Sequence, residues 1–177
     1  MTSFAGRIIG AAKLSSATFE EVEADTTATG QAMGVVLLAS VAAGIGSVGP
    51  GAGGLGNIVY GAIWSLVGWV IWAFMTYMIG TRLLPEPQTR ADMGELMRTL
   101  GFAQSPSLAR VFAALPVVGP VVLVLVLLWM LIAMVIAVRQ ALDYSSTWRA
   151  LGVCLIGWVI AVAVPAILIL LSSDAPG

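Results

Sequence analysis

Polar and apolar residues along this chain are segregated into long blocks rather than interleaved. Residues 26–81 contain no Asp, Glu, Lys or Arg, and neither do residues 111–138 or 150–173. A helix needs about 20 apolar residues to cross a ~30 Å hydrocarbon core, so the first block accommodates two crossings. The break between them is Gly44 to Asn57, where seven of fourteen residues are glycine and Pro50 sits centrally, a composition that ends helices. The pattern predicts span 1 near 29–48 and span 2 near 58–79, antiparallel neighbours because their connection is short. In the second block, Leu115-Pro116-Val117-Val118-Gly119-Pro120 reads as a tight turn, dividing a short segment at 107–119 from a span at 120–138. The third block gives a span near 150–171, with Ser145 or Ser146 as its cap and Pro165 as a kink. Residues 173–177 form a short tail.

Composition turns this pattern into a class. The 177 residues are 59% hydrophobic and 10% charged, with a mean hydropathy of +1.00, against about 25% charged in a soluble domain. A water-soluble fold of this length could not bury that much apolar surface. The chain is therefore read as one all-α membrane module. Sustained apolarity begins only near Met33, behind the acidic run Glu20, Glu21, Glu23 and Asp25, so no secretory signal is expected. That run reads as a solvated cap before span 1, with weak cation or partner binding as the sharper alternative.

The short segment is decided by charge. Thirteen residues rise only ~20 Å as a helix, so 107–119 either crosses or re-enters. If it crosses, all eight Lys and Arg share one side; if not, Arg139 and Arg149 move to the far side. Basic residues near span ends favour the cytoplasm, so five crossings are expected, with the N-terminus inside, the C-terminus outside and Arg110 snorkelling to the cytoplasmic surface. In residues 1–28, Phe4, Ile8, Ala11 and Phe19 fall on or near one helical face, with Arg7 and Lys13 elsewhere. They predict an amphipathic interfacial helix, or a frayed polar tail, since Gly6 and Gly10 weaken a helix. A second interfacial helix is expected at Met93 to Leu100.

Several stretches resemble the YIP family, the five-span membrane proteins named for interaction with Ypt/Rab GTPases, and its short bacterial members most. They are Thr18-Phe19-Glu20-Glu21-Val22-Glu23-Ala24-Asp25, Tyr77-Met78-Ile79-Gly80-Thr81-Arg82-Leu83-Leu84, Arg98-Thr99-Leu100-Gly101-Phe102-Ala103 with Pro106 leading into Leu115-Pro116, Leu128-Trp129, and Val138-Arg139-Gln140-Ala141-Leu142-Asp143-Tyr144. The resemblance covers roughly residues 14–172, a domain with spans at 29–172. It implies a helical membrane bundle without enzymatic activity, acting through partners or lipid, in the bacterial cytoplasmic membrane if the source is bacterial. Rab binding is not carried over, because the long N-terminal extension and its Asp-Leu-Tyr-Gly-Pro motif are absent.

Chemistry is thin. No histidine is present and Cys154 is the only cysteine, so no Ser/His/Asp or Cys/His nucleophile, Cys/His metal cluster or internal disulfide can be built. No P-loop or dinucleotide fingerprint appears, a net charge of −1 offers no basic field to nucleic acid, and no ionisable residue lies deep in a span. No catalytic residue, cofactor or metal is expected. Three sets of candidates remain. Arg98, Arg139, Asp143 and Arg149 are expected to form a patch for lipid headgroups or a partner, or else to be ordinary topology signals; Arg139 and Asp143 would pair if the helix runs through 143. Gly30, Gly34, Gly44, Gly61 and Ser65 have the spacing of small-residue helix packing, within the chain or against another subunit. Trp69, Trp129 and Trp158 fall mid-span, in core packing or around an apolar or lipid-tail pocket. The leading reading is a membrane scaffold or accessory subunit, with membrane lipids and other membrane proteins or a second copy as partners. The competing reading is a small transporter, channel or lipid-handling protein.

Overall fold

Short polar residues set the starts of the helices outside the apolar blocks. In a computed structural model, which describes residues 2–47 and 55–173, Ser3 accepts from the Gly6 N–H and opens α1 (Phe4–Ala12), and Ser15 accepts from the Thr18 N–H and opens α2 (Ser16–Ala24). A 3-10 turn, Thr26–Ala28, leads into α3 (Thr29–Gly46), followed by α4 (Leu55–Met78), which ends in a π turn, Ile79–Leu83. Asp92 and Glu95 make a reciprocal capping box at 2.8 and 2.7 Å and start α5 (Met93–Phe102). A 3-10 segment, Ser105–Ala114, precedes α6 (Gly119–Ala141) and α7 (Thr147–Ser173). No strand occurs among the described residues. The glycine-rich connection falls largely on residues 48–54, and the end of the tail on 174–177; both lie outside the described residues.

Among the described residues, four helices are long and apolar enough to cross a bilayer, at Thr26–Gly46, Val59–Leu83, Gly119–Ala141 and Thr147–Ile167. Only 22–33% of each is buried inside the molecule, so most of their surface is left for lipid to cover. The outward residues are large and apolar: Trp64, Ile71 and Phe74 on α4, Leu127 and Leu128 on α6, Val159 and Val162 on α7. The tightest core lies at the end of the bundle where α2, α5 and the last turns of α6 meet. Phe19, Val22, Leu96, Leu100, Ala137, Val138 and Leu142 are all fully buried there.

The expected segment at 107–119 is a 3-10 run over Ser105–Ala114 instead, long for that geometry, which rarely exceeds four residues. Its course is fixed by two close approaches to α3. Gly101 packs on Ala32 near the first turn of α3, and the Arg110 carbonyl packs on Gly46 in the last turn, where a Cβ on either glycine would collide. The chain from 101 to 110 thus runs alongside α3 from one end towards the other. This corrects the position expected for Arg110, whose backbone lies at the Gly46 end of α3 rather than at its Thr29 end. Val117, in the left-handed region at φ 73°, turns the chain into α6, which runs back.

The N-terminal region is two helices rather than one amphipathic helix, because Leu14 at φ 63° breaks it. Its polarity also differs from the expected face. Arg7 and Ala11 point inward and Ile9 outward, since Arg7 finds acidic partners on α2 that repay its desolvation.

Candidate functional site at the charged end of the bundle

Four polar anchors assemble one end of the molecule. Arg7, 2% exposed, ion-pairs with Glu21 at 3.0 Å and Asp25 at 2.6 Å and donates to the Gln31 side chain at 3.0 Å, tying α1 to α2 and α3. A buried guanidinium is stable only when its donors are matched in this way. Hydrogen bonds from Thr27 and then Arg7 hold the Asp25 carboxyl at about 2, and bonds from Thr2 depress Glu21.

The second anchor is Arg98 on α5, 5% exposed. Its Nε donates at 3.0 Å to the carbonyls of both Val22 and Glu23, and a second guanidinium N–H also reaches the Glu23 carbonyl. These are among the last carbonyls of α2, which have no partner within the helix, and the positive charge suits the negative end of the helix dipole.

Glu86 is the third anchor, buried in the loop after α4. Its carboxylate accepts from the Ser145 N–H at 3.0 Å, the Ser145 hydroxyl at 2.6 Å and the Ser146 N–H at 3.3 Å. A carboxylate from another loop therefore sits at the start of α7, on the N–H groups of the two serines that precede it. Those bonds, Ser145 foremost, hold the Glu86 carboxyl below its ordinary range.

Tyr144 is the fourth. Its hydroxyl lies 2.9 Å from the Gly80 carbonyl, within the π turn, and 2.8 Å from that of Leu84, just after it, and Leu142 packs so closely on Gly80 that a Cβ there would force the leucine side chain to shift. Burial, then the charge of Glu86, pushes the phenol up to about 12. The turn that presents Tyr144 is closed by Asp143 in the left-handed region at φ 52°. The Asp143 N–H bonds to the Gln140 carbonyl and the Tyr144 N–H to that of Arg139, both at 2.9 Å, the double bond pattern that terminates a helix.

Between these anchors lies an open cleft of about 640 Å³. Glu20 and Glu23 line it from α2, Glu95 from α5, Arg139 and Gln140 from α6, and Asp143, Tyr144 and Ser145 from the following turn, with Gln88 at its edge. Four carboxylates face one guanidinium, so the cleft is acidic. Burial first, then Glu95, Asp143 and Glu20, with Arg98 opposing, pushes the Glu23 carboxyl up to about 7. No three carboxylates among the described residues are grouped to hold a metal ion.

Four of the stretches singled out in the sequence, 18–25, 77–84, 98–103 and 138–144, meet here. Residues 18–25 are held by Arg98, and Tyr77 to Leu84 is held by Tyr144 and Leu142. The family model of the Yip1 domain matches residues 14–169. The chain belongs to the Yip1 family. As a Yip1 family member with four long apolar helices it is an integral membrane protein, and the family is not known for enzymes. No curated protein and no solved structure matches it.

In this Yip1 domain the expected basic patch is divided. Arg139 and Asp143 both line the cleft but do not pair, because α6 ends at Ala141 and the Arg139 Nε donates to the Tyr144 carbonyl at 3.2 Å. Arg98 is inside the protein. Arg149, 48% exposed, bonds to the Pro85 carbonyl at 2.7 Å and lies 3.6 Å from Glu86. The small residues also separate. Gly30 and Gly61 have nothing within 4 Å of a would-be Cβ, Gly34 faces the Phe4 ring, the Gly44 carbonyl accepts from the Ser47 hydroxyl, and the Ser65 hydroxyl bonds within its own helix. The three indoles likewise have different surroundings. Trp69 is buried and donates to the Met97 carbonyl at 3.0 Å, Trp129 donates to the Ala12 carbonyl at 2.7 Å, and Trp158 faces outward, 63% exposed. Sequence reasoning missed Arg7, Glu86, Glu95 and Tyr144 as members of the site, and had Glu23 only as part of an acidic cap before span 1. The Asp92-x-x-Glu95 spacing was a legible capping signal; the others had none outside the resemblance.

Proposed function

We propose that this protein is a non-enzymatic membrane scaffold or accessory subunit that works through membrane partners or the surrounding lipid. One observation carries the reading. The three charged side chains buried among the described residues, Arg7, Glu86 and Arg98, are each engaged in joining helices at one end, while no Asp, Glu, Lys or Arg lies deep within a span. A carrier of ions or protons needs such groups facing a path through the membrane. The open Gly61 on α4, among exposed Tyr60, Trp64 and Val67, supports a neighbouring membrane helix as one contact, since small residues let helices approach closely in lipid.

The same reading includes five passes, with the N-terminus, the 84–100 region and the 142–149 turn on the cytoplasmic side. The contacts of Gly101 with Ala32 and of Arg110 with Gly46 support a fifth pass beside α3, and the bonds from Tyr144 and Ser145 to Leu84 and Glu86 support a shared side for those two loops. With Arg110 at the far end, seven of the eight basic residues remain together, which still satisfies the positive-inside rule. Single cysteines at Gln88, Ser145 and Ser173 in a Cys154→Ala background test the topology: 88 and 145 are expected to label from one side and 173 from the other. Reconstituted vesicles test the function. Proton and potassium flux no greater than in empty vesicles, with a defined membrane protein co-purifying in mild detergent, is the expected result; protein-dependent flux would overturn the reading.

A further inference from the structure

Glu23 stands apart from the other carboxylates of α2 and α5 around it. Glu20 accepts from the Gln140 amide at 2.6 Å, Glu95 from the Asp92 N–H at 2.7 Å, Glu21 and Asp25 from Arg7. The Glu23 carboxyl has no hydrogen-bond or ion-pair partner among the described residues, although it is half-buried in the cleft. Charged groups face it from each element that forms the cleft: Glu20 on its own helix, Glu95 and Arg98 on α5, Arg139 on α6 and Asp143 on the turn beyond. Arg98 does not pair with it, because its Nε and one Nη donate to backbone carbonyls, one of them that of Glu23 itself. Side-chain repulsion at Glu23 therefore bears directly on the bond that seats the end of α2.

We propose that this joint is a pH-responsive device: with Glu23 protonated, α2 stays seated on α5 and α6, and with Glu23 ionised, repulsion across the acidic cleft loosens α2 from the bundle. The sign follows from linkage. The seated state holds the Glu23 proton up to about 7, against 4.5 for the unperturbed side chain. Between these values the seated state binds more protons than the released one, so seating weakens as pH rises through that window and levels off above it. The buried apolar anchors Phe19 and Val22 keep the change a local loosening rather than unfolding. The device needs no partner and stands whether or not the scaffold reading holds.

The test uses the full chain in uncharged phosphatidylcholine vesicles and reads amide exchange in residues 16–24, corrected for the intrinsic pH dependence of exchange and referenced to α6. A fall in protection of about tenfold from pH 5 to pH 8 is expected, less than the full shift allows because the group is partly solvated. Glu23→Gln should be protected equally at both values. Carbon-13 carboxyl titration of the native protein supplies an independent readout, with a midpoint near 7 expected for Glu23. Constant α2 protection in the native chain, a fall that persists in Glu23→Gln, or a Glu23 midpoint below 5 overturns the proposal.

Discussion

Arg98 and Glu23 are 75 residues apart in the chain, and the guanidinium of the first holds the backbone carbonyl of the second. Because the same group also takes the Val22 carbonyl, Arg98→Gln is expected to weaken the seating of α2 by about 1.5–3 kcal/mol, the usual worth of a hydrogen bond from a charged donor. Limited proteolysis in the 13–28 region should accelerate roughly tenfold or more. Arg98→Lys should recover part of this, since one ammonium cannot reproduce the planar fork. Unchanged proteolysis in Arg98→Gln would show that the cap carries no weight.

Arg7 presents a harder case, because two carboxylates depend on it. Removing one partner of a buried ion pair typically costs about 3–5 kcal/mol, and Glu21, partly open to solvent, reduces that figure. Arg7→Gln is expected to cost about 2–3 kcal/mol and to free α1 while leaving the spans intact. A thermal scan that loses an N-terminal transition but keeps the main one is the expected record; a single unshifted transition would contradict it.

The Gly80 and Leu142 pair predicts a rescue. Gly80→Ala forces a methyl into the Leu142 side chain and should destabilise by about 1–3 kcal/mol, the usual effect of overpacking. In Gly80→Ala with Leu142→Ala the added methyl has room, so the double variant should lose less than the sum of the two single losses. Strict additivity in denaturation midpoints would mean that the contact is not formed. Tyr144→Phe, which removes the hydroxyl shared by Gly80 and Leu84, should cost about 1 kcal/mol by the same measurement.

Acid should act on the N-terminal anchor in the opposite sense to the cleft. Thr27 and Arg7 hold the Asp25 carboxyl at about 2, below its ordinary 3.8. A depressed carboxyl contributes stability that is present above its ordinary value and is lost as pH falls through the folded one. The difference in melting between native protein and Arg7→Gln should therefore be constant from pH 6 to 5 and shrink on approaching pH 2. A difference that persists unchanged at pH 2 would show that the ion pairs contribute nothing to it.

How much of this was legible in the sequence depends on whether the information is local. The four long helices were, because the partitioning of a segment into lipid is a sum over about 20 consecutive residues and needs no knowledge of what lies beside it. The expected 29–48, 58–79, 120–138 and 150–171 agree with the observed helices to within a few residues at most ends. The start of α5 was legible for the same reason, since Asp92 and Glu95 satisfy each other within one turn. Family membership could also be read from the order of its stretches, although what each stretch does could not. What only the tertiary structure decided was the fate of the charges that join one helix to another. Arg98 and Arg149 look alike as basic residues near span ends, yet one is buried against the end of α2 and the other lies half-exposed beside Pro85. Glu21 and Glu23 stand two residues apart, yet one pairs with Arg7 and the other faces three carboxylates. A charge costs or contributes according to its partners and its solvent, and here those partners come from helices separated by dozens of residues, so only their packing could assign them.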